Sequence, residues 1–204
     1  MQNQKLDPRL ILLQTKLMKK ISSICVYCGS RPGIDLSFKN AAIDLGKSLA
    51  KADFELIYGG GDKGIMGYVA AGARAMGGKV ISIIPKFLIN REASIENLQK
   101  QENVIITKTM HQRKQLMFDK ADVFIALPGG IGTLEELTEI LTWAQLARHN
   151  KPIILANINN FWQPLLELFN HMVENNFITN FNDFAPIIAN DVNEIMQRLD
   201  AIVK

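Results

Sequence analysis

A chain of 204 residues, 48% apolar and 21% charged, carries enough apolar material for one sizeable core, so a single globular domain is expected. Its formal charge is only +3, from 23 Lys and Arg against 20 Asp and Glu, with no long basic run, which excludes a nucleic-acid arm. No apolar stretch approaches the ~20 residues of a membrane span, and Leu10 to Leu13 is too short for a signal-peptide core, so no membrane partner is expected and the expected compartment is the cytoplasm.

Residues 1–17 read as an extension, frayed or helical, ahead of one domain over residues 18–204. The first strand is Ile24 to Tyr27, followed by helical spacing over Leu36 to Lys51. Phe54 to Tyr58 leads into a helix over Gly64 to Met76, and Val80 to Ile84 forms a third strand. Val104 to Thr107 precedes a helix over Met110 to Lys120, and Val123 to Leu127 precedes one over Thr133 to His149. Ile153 to Leu155 leads to a helix over Trp162 to Asn175, Pro186-Ile187-Ile188 could add a short edge strand, and Val192 to Ile202 closes the chain as a helix.

Near-continuous apolar strands joined by helical crossovers predict an α/β, Rossmann-like, doubly wound and mostly parallel sheet in a single domain. Ligands of such sheets bind at the carboxyl ends of the strands, here residues 28–34, 59–67, 85–92, 108–114 and 128–136. Cys25 and Cys28 stand three apart on the first strand, so their side chains point to opposite faces and share neither a disulfide nor a metal. A thioredoxin-type pair would open a helix, which this one does not. His111, His149 and His171 have no ligand-like spacing, so no metal is expected.

Three strand exits are rich in glycine. Cys28-Gly29-Ser30-Arg31-Pro32-Gly33 is a small-residue turn that reads equally as an anion seat or a plain turn. Gly59-Gly60-Gly61-Asp62-Lys63-Gly64 satisfies the dinucleotide pattern GxGxxG, but no Asp or Glu falls between Asp62 and Glu92 to hold a ribose. An NADP-linked reading would rest on that coincidence with Lys86 or Arg91. No P-loop is present.

The exit Pro128-Gly129-Gly130-Ile131-Gly132-Thr133-Leu134-Glu135-Glu136 is the most informative. The unpaired amides and positive dipole end of a helix opening at Gly132-Thr133 suit a monophosphate. Glu136 lies three residues after Thr133, so the two side chains share a face. In the helix from Met110, Arg113 and Lys114 flank an apolar stripe of Met110, Met117 and Ala121, where their charges either snorkel to solvent or face an anion.

Cys28-Gly29-Ser30, Tyr58 to Gly61 with Gly64-Ile65-Met66-Gly67, Met110-His111-Gln112-Arg113-Lys114, and Pro128 to Glu136 in combination resemble the Lonely Guy (LOG) family, from about Ile21 to Ile178. Thr142-Trp143-Ala144-Gln145-Leu146 is similar to a helix of the same family. The resemblance implies an N-glycosidase, without cofactor, that releases base and ribose 5-phosphate from cytokinin riboside 5′-monophosphates or AMP. It implies catalytic roles for Arg113 and Glu136. It implies substrate contacts at Lys114, Gly130, Ile131, Gly132, Thr133, Leu134, Glu135, Glu92 and Thr142, and a homodimer.

Gly29, Ser30, Gly60, Gly61, Met66 and Gly129 are further binding candidates in the glycine-rich exits. Asn90-Arg91-Glu92-Ala93-Ser94 departs from the family's proline-containing version. An older lysine decarboxylase label would call for pyridoxal phosphate, yet no lysine is singled out for a Schiff base. The expected mechanism holds Glu136 as a carboxylate, by the helix N-terminus and Arg113, beside a cationic ribose. The competing reading is a non-catalytic carrier of a nucleotide or of molybdenum cofactor.

Overall fold

The computed structural model describes residues 21–203; the expected extension over residues 1–17 lies outside them. Strands β1 (Ser23–Tyr27), β2 (Glu55–Tyr58), β3 (Val80–Pro85), β4 (Val104–Thr107), β5 (Val123–Ala126), β6 (Ile153–Ala156) and β7 (Ile187–Ala189) form one sheet. Its order is β4-β3-β2-β1-β5-β6-β7, and every pairing is parallel. Helices α1 (Leu36–Lys51), α2 (Gly64–Ala75), α3 (Ile95–Gln99), α4 (Met110–Lys120), α5 (Ile131–Gln145), α6 (Gln163–Glu174) and α7 (Val192–Val203) surround it.

Alternation along the strands supplies two cores. Ile24, Val26, Leu56 and Tyr58 face Ala42, Leu45 and Leu49 of α1, Val69 of α2 and Leu199 of α7. Cys25, Tyr27 and Ile57 face Met117 of α4, Leu137 and Ile140 of α5 and Phe169 of α6 on the other side. The two cysteines thus belong to different cores, and both are free thiols.

The chain winds outward from β1 in one direction through β2 to β4, and from β5 in the other through β6 and β7. The reversal therefore lies between β1 and β5, where a crevice opens beyond the strand ends. The opposite ends of the two strands are locked by Asp122, whose Oδ2 accepts from Ser22 N at 2.9 Å, Ser23 N at 3.1 Å and Ser23 Oγ at 2.9 Å.

Two elements differ from expectation. Helix α5 starts at Ile131, not Thr133, because Gly130 takes the N-cap position, and it stops at Gln145, not His149, where Ala147 turns left-handed at φ 52°. The short α3 was not expected: Ser94 caps it by accepting from Asn97 N at 3.1 Å, but five residues carry no readable helical period.

Candidate active site

A cavity of about 500 Å³ lies at the carboxyl ends of β1 and β5. Its floor is laced together by backbone. Gly29 N donates to Pro128 O at 3.1 Å, joining the exits of β1 and β5, and Gly29 O accepts from Met66 N at 3.1 Å, tying in the start of α2. A Cβ on Gly129 would lie 2.8 Å from Gly29 N and 2.6 Å from Thr133 Cβ, so only glycine permits this approach.

Helix α5 begins on this floor. Gly130 offers no side-chain cap, leaving the first-turn amides unclaimed at the positive end of the dipole, and Thr133 is buried beside them. One turn on, Glu136 is 8% exposed, against 6% for Arg113 of α4. Arg113 Nη2 stands 3.7 Å from Glu136 Oε1.

Thr109 caps α4 by accepting from Gln112 N at 3.2 Å, so the helix starts directly after β4 and Arg113 falls in its first turn, above the cavity. Its Nη2 donates to Gly59 O at 3.3 Å, while its buried Nε has no hydrogen-bond partner among the described residues. A Cβ on Gly59 would come within 3.0 Å of Arg113 Cζ, and one on Gly61 within 2.7 Å of Met66 Cε. The glycines after β2 therefore make room for Arg113 and Met66, which removes the dinucleotide reading of GxGxxG.

Burial pushes the Glu136 carboxyl up from its ordinary 4.5 to about 7, against the opposing pull of Arg113. That corrects the expectation of a carboxylate held low by cation and dipole: the guanidinium stands beyond hydrogen-bond distance, and Glu136 lies past the helix's first turn, where the dipole field fades. Burial also raises the Cys28 thiol, so this cavity residue is no thiolate nucleophile.

Gly29, Ser30, Met66, Glu92, Arg113, Gly129, Gly130, Ile131, Gly132, Thr133 and Glu136 all line the cavity. Glu92 arrives on the connection between β3 and α3, with its Oε2 unpartnered. Asp62 holds this connection: its N donates to Glu92 O at 2.9 Å, and its Oδ2 accepts from Ser94 N at 3.0 Å and Asn97 Nδ2 at 2.6 Å.

The remaining candidates stand outside the cavity lining. Gly60 and Gly61 lie behind Met66 and Ile84. Leu134 and Glu135 point elsewhere on α5, and Thr142 is exposed nearly three turns along, where its Oγ1 donates to Thr138 O at 2.7 Å. Lys114 is 7% exposed but turns its ammonium to Glu135 and Glu139.

Phe38, Ile65, Leu88, Met110 and Phe161 form an apolar wall, of which Phe38 and Phe161 lie outside the strand exits named from the sequence. Phe38 and Phe161 meet edge to face at 5.6 Å, and Asn159 Nδ2 donates to Asp35 Oδ2 at 2.8 Å, joining the segments that carry them. Phe161 follows β6, so extending the strand-end rule to that exit would have found it.

Among the described residues no lysine lines the cavity, so these residues do not fit pyridoxal phosphate, which needs one for its Schiff base. Among the described residues no three His, Cys, Asp or Glu side chains group as metal ligands, and no helix is long and apolar enough to cross a membrane.

The family described as "Possible lysine decarboxylase" matches residues 66–199. The cytokinin riboside 5′-monophosphate phosphoribohydrolase LOG of Oryza sativa subsp. japonica is 43% identical over 180 residues, which cover 88% of this chain and 73% of that protein. The enzyme LOG3 of Arabidopsis thaliana is 42% identical over 181 residues, 89% of this chain and 83% of its own. Among solved structures, the molybdenum cofactor binding protein of Rippkaea orientalis superposes with a TM-score of 0.67 at 24% identity, over 92% of this chain and 99% of that one, a likeness of fold alone. Matches of this extent, on a chain with this cavity, show that it belongs to the Lonely Guy (LOG) family, whose profile carries the decarboxylase description.

Proposed function

We propose that the protein hydrolyses the N-glycosidic bond of purine riboside 5′-monophosphates, cytokinin-type or AMP, giving free base and ribose 5-phosphate. The observation that carries this reading is the buried Arg113 and Glu136 pair, facing the same cavity as the bare N-terminus of α5. The monophosphate docks on the amides of residues 130–133 and on the Thr133 hydroxyl. The ribose then lies toward the next turn, beside Glu136.

As the bond from C1′ to the base nitrogen breaks, its electron pair leaves with the base and the sugar gains oxocarbenium character. Ionised Glu136 stabilises that cation and accepts a proton from the water whose oxygen adds to C1′; the departing base nitrogen takes up a proton from solvent, and Glu136 returns its own to solvent, so that water is split between sugar and base. Arg113 orients the carboxylate and substrate oxygens through its planar fork. Glu92 offers its unpartnered Oε2 to ribose hydroxyls. The carrier alternative has only fold likeness behind it and leaves the buried pair unexplained. The homodimer expectation draws support from α5, where Ile131 and Leu146 are exposed apolar residues at its two ends.

Glu136→Gln tests the reading: release of base from AMP, or from its isopentenyl counterpart, should fall about 100- to 1,000-fold, roughly 3 to 4 kcal/mol of barrier. Unchanged release by the folded variant would remove Glu136 from the mechanism. Tight nucleotide binding by the native protein, with no base released, would favour the carrier.

A further inference from the structure

Helices α4 and α5 approach each other little through their backbones, yet two long cations bridge them side by side. Arg113 reaches Glu136. Lys114, its sequence neighbour, reaches Glu135 and Glu139, with Nζ 3.0 Å from Glu139 Oε1 and in contact with Glu135 Oε1. Glu135 and Glu139 stand four apart on one face of α5, so a single ammonium grips a full turn of that helix.

Lys114 as a residue is 7% exposed and is not among the residues that line the cavity. A buried cation is tolerated where carboxylates surround it, and here two do. We infer that Lys114 is a positioning residue: clamped between Glu135 and Glu139, it sets α4 against α5 so that Arg113 and Glu136 face each other across the site. The inference rests on the hydrolase reading for its kinetic arm, and on geometry alone for its structural arm.

The clamp also sets the charge around Glu136. That carboxyl is faced by Arg113 and Lys114 of α4, by Glu92 from the β3–α3 connection, by Glu135 of its own helix, and by Cys25, Tyr27 and Cys28 from β1 and its exit. Glu135 raises its pKa and Lys114 lowers it. Loss of the lysine charge leaves Glu135 uncompensated, so Glu136 should lose its proton only at higher pH.

The experiment pairs Lys114→Met with Lys114→Arg, measuring base release from AMP and the titration of carboxyl-labelled glutamate by carbon-13 NMR. For Lys114→Met, kcat should drop about tenfold or more at neutral pH with KM changed less than about twofold, and the Glu136 midpoint should rise. Lys114→Arg, which keeps the charge, should recover most of both. A raised KM with unchanged kcat and an unmoved midpoint would make Lys114 a substrate contact and overturn the inference.

Should Lys114→Met fail to fold, Glu139→Gln decides: it removes one arm of the clamp and should lower kcat severalfold with KM little changed, and an unchanged kcat overturns the clamp. If the native protein releases no base, the hydrolase reading fails, while the NMR arm still judges the clamp.

Discussion

At Glu136 burial and a nearby cation pull one carboxyl group in opposite directions, and burial prevails. Its raised value of about 7 suits the group to its proposed role as proton acceptor at neutral pH. If the ionised form is the active one, kcat/KM should rise with pH along a limb whose midpoint lies near 7. A profile flat from pH 5 to 8 would exclude this group as the base. The same shift has a stability consequence with a definite sign. The folded state holds a proton that the unfolded chain releases near 4.5, so this contribution is fully present below 4.5 and is lost as pH rises through about 7. The loss is on the order of 3 kcal/mol. Urea unfolding at pH 5 and pH 8 should show that decline in the native protein and a smaller one in Glu136→Gln, whichever variant is the more stable outright. Counting along the helix puts Glu136 on the face of Thr133, and the family resemblance pairs it with Arg113, but its protonation was legible in neither. Position in a helix can be counted along the chain; the depth of burial that raises the group comes from β1, α4 and the β3–α3 connection closing around it.

Helix α5 shows what its glycine lead-in requires, because its glycines are not equivalent. A Cβ on Gly129 would overlap Thr133 and Gly29, whereas one on Gly130 meets nothing within 4 Å. Gly129→Ala should therefore lower stability by about 1 to 3 kcal/mol, read as a drop in Tm, while Gly130→Ala should leave the melt close to native. Equal losses from both would show that the β1 and β5 exits are not packed as described. The strands were legible as short, near-continuous apolar runs buried on both faces, and most helices by an apolar period of 3.6. The glycine motif after β2, already short of an acid for a ribose, has another physical reason: Gly59 and Gly61 yield space to Arg113 and Met66, and a spacing pattern does not distinguish room for a side chain from room for a phosphate. Lys114 and Thr142 illustrate a second limit. Their roles came by resemblance, but Lys114 turns to two carboxylates on α5 and Thr142 bonds back to its own helix.

Across the whole molecule, winding in two directions from adjacent strands puts the proposed phosphate seat and the proposed catalytic pair in one crevice while assigning them to different parts of it. The seat belongs to backbone at the start of α5; the pair belongs to side chains one turn away on α5 and across on α4. Binding and chemistry should therefore be separable. A ligand that binds only the folded state at about a hundred times its Kd adds roughly 2.7 kcal/mol of stability, which for a domain of this size raises Tm by about 5 to 10 °C. Ribose 5-phosphate should produce such a shift in the native protein and in Glu136→Gln alike, because both keep the backbone amides. Gly129→Ala, which displaces those amides, should lose most of it. Differential scanning calorimetry across the three proteins checks this, and a shift abolished by Glu136→Gln but kept by Gly129→Ala would move the anion's anchor away from the helix and onto the side-chain pair.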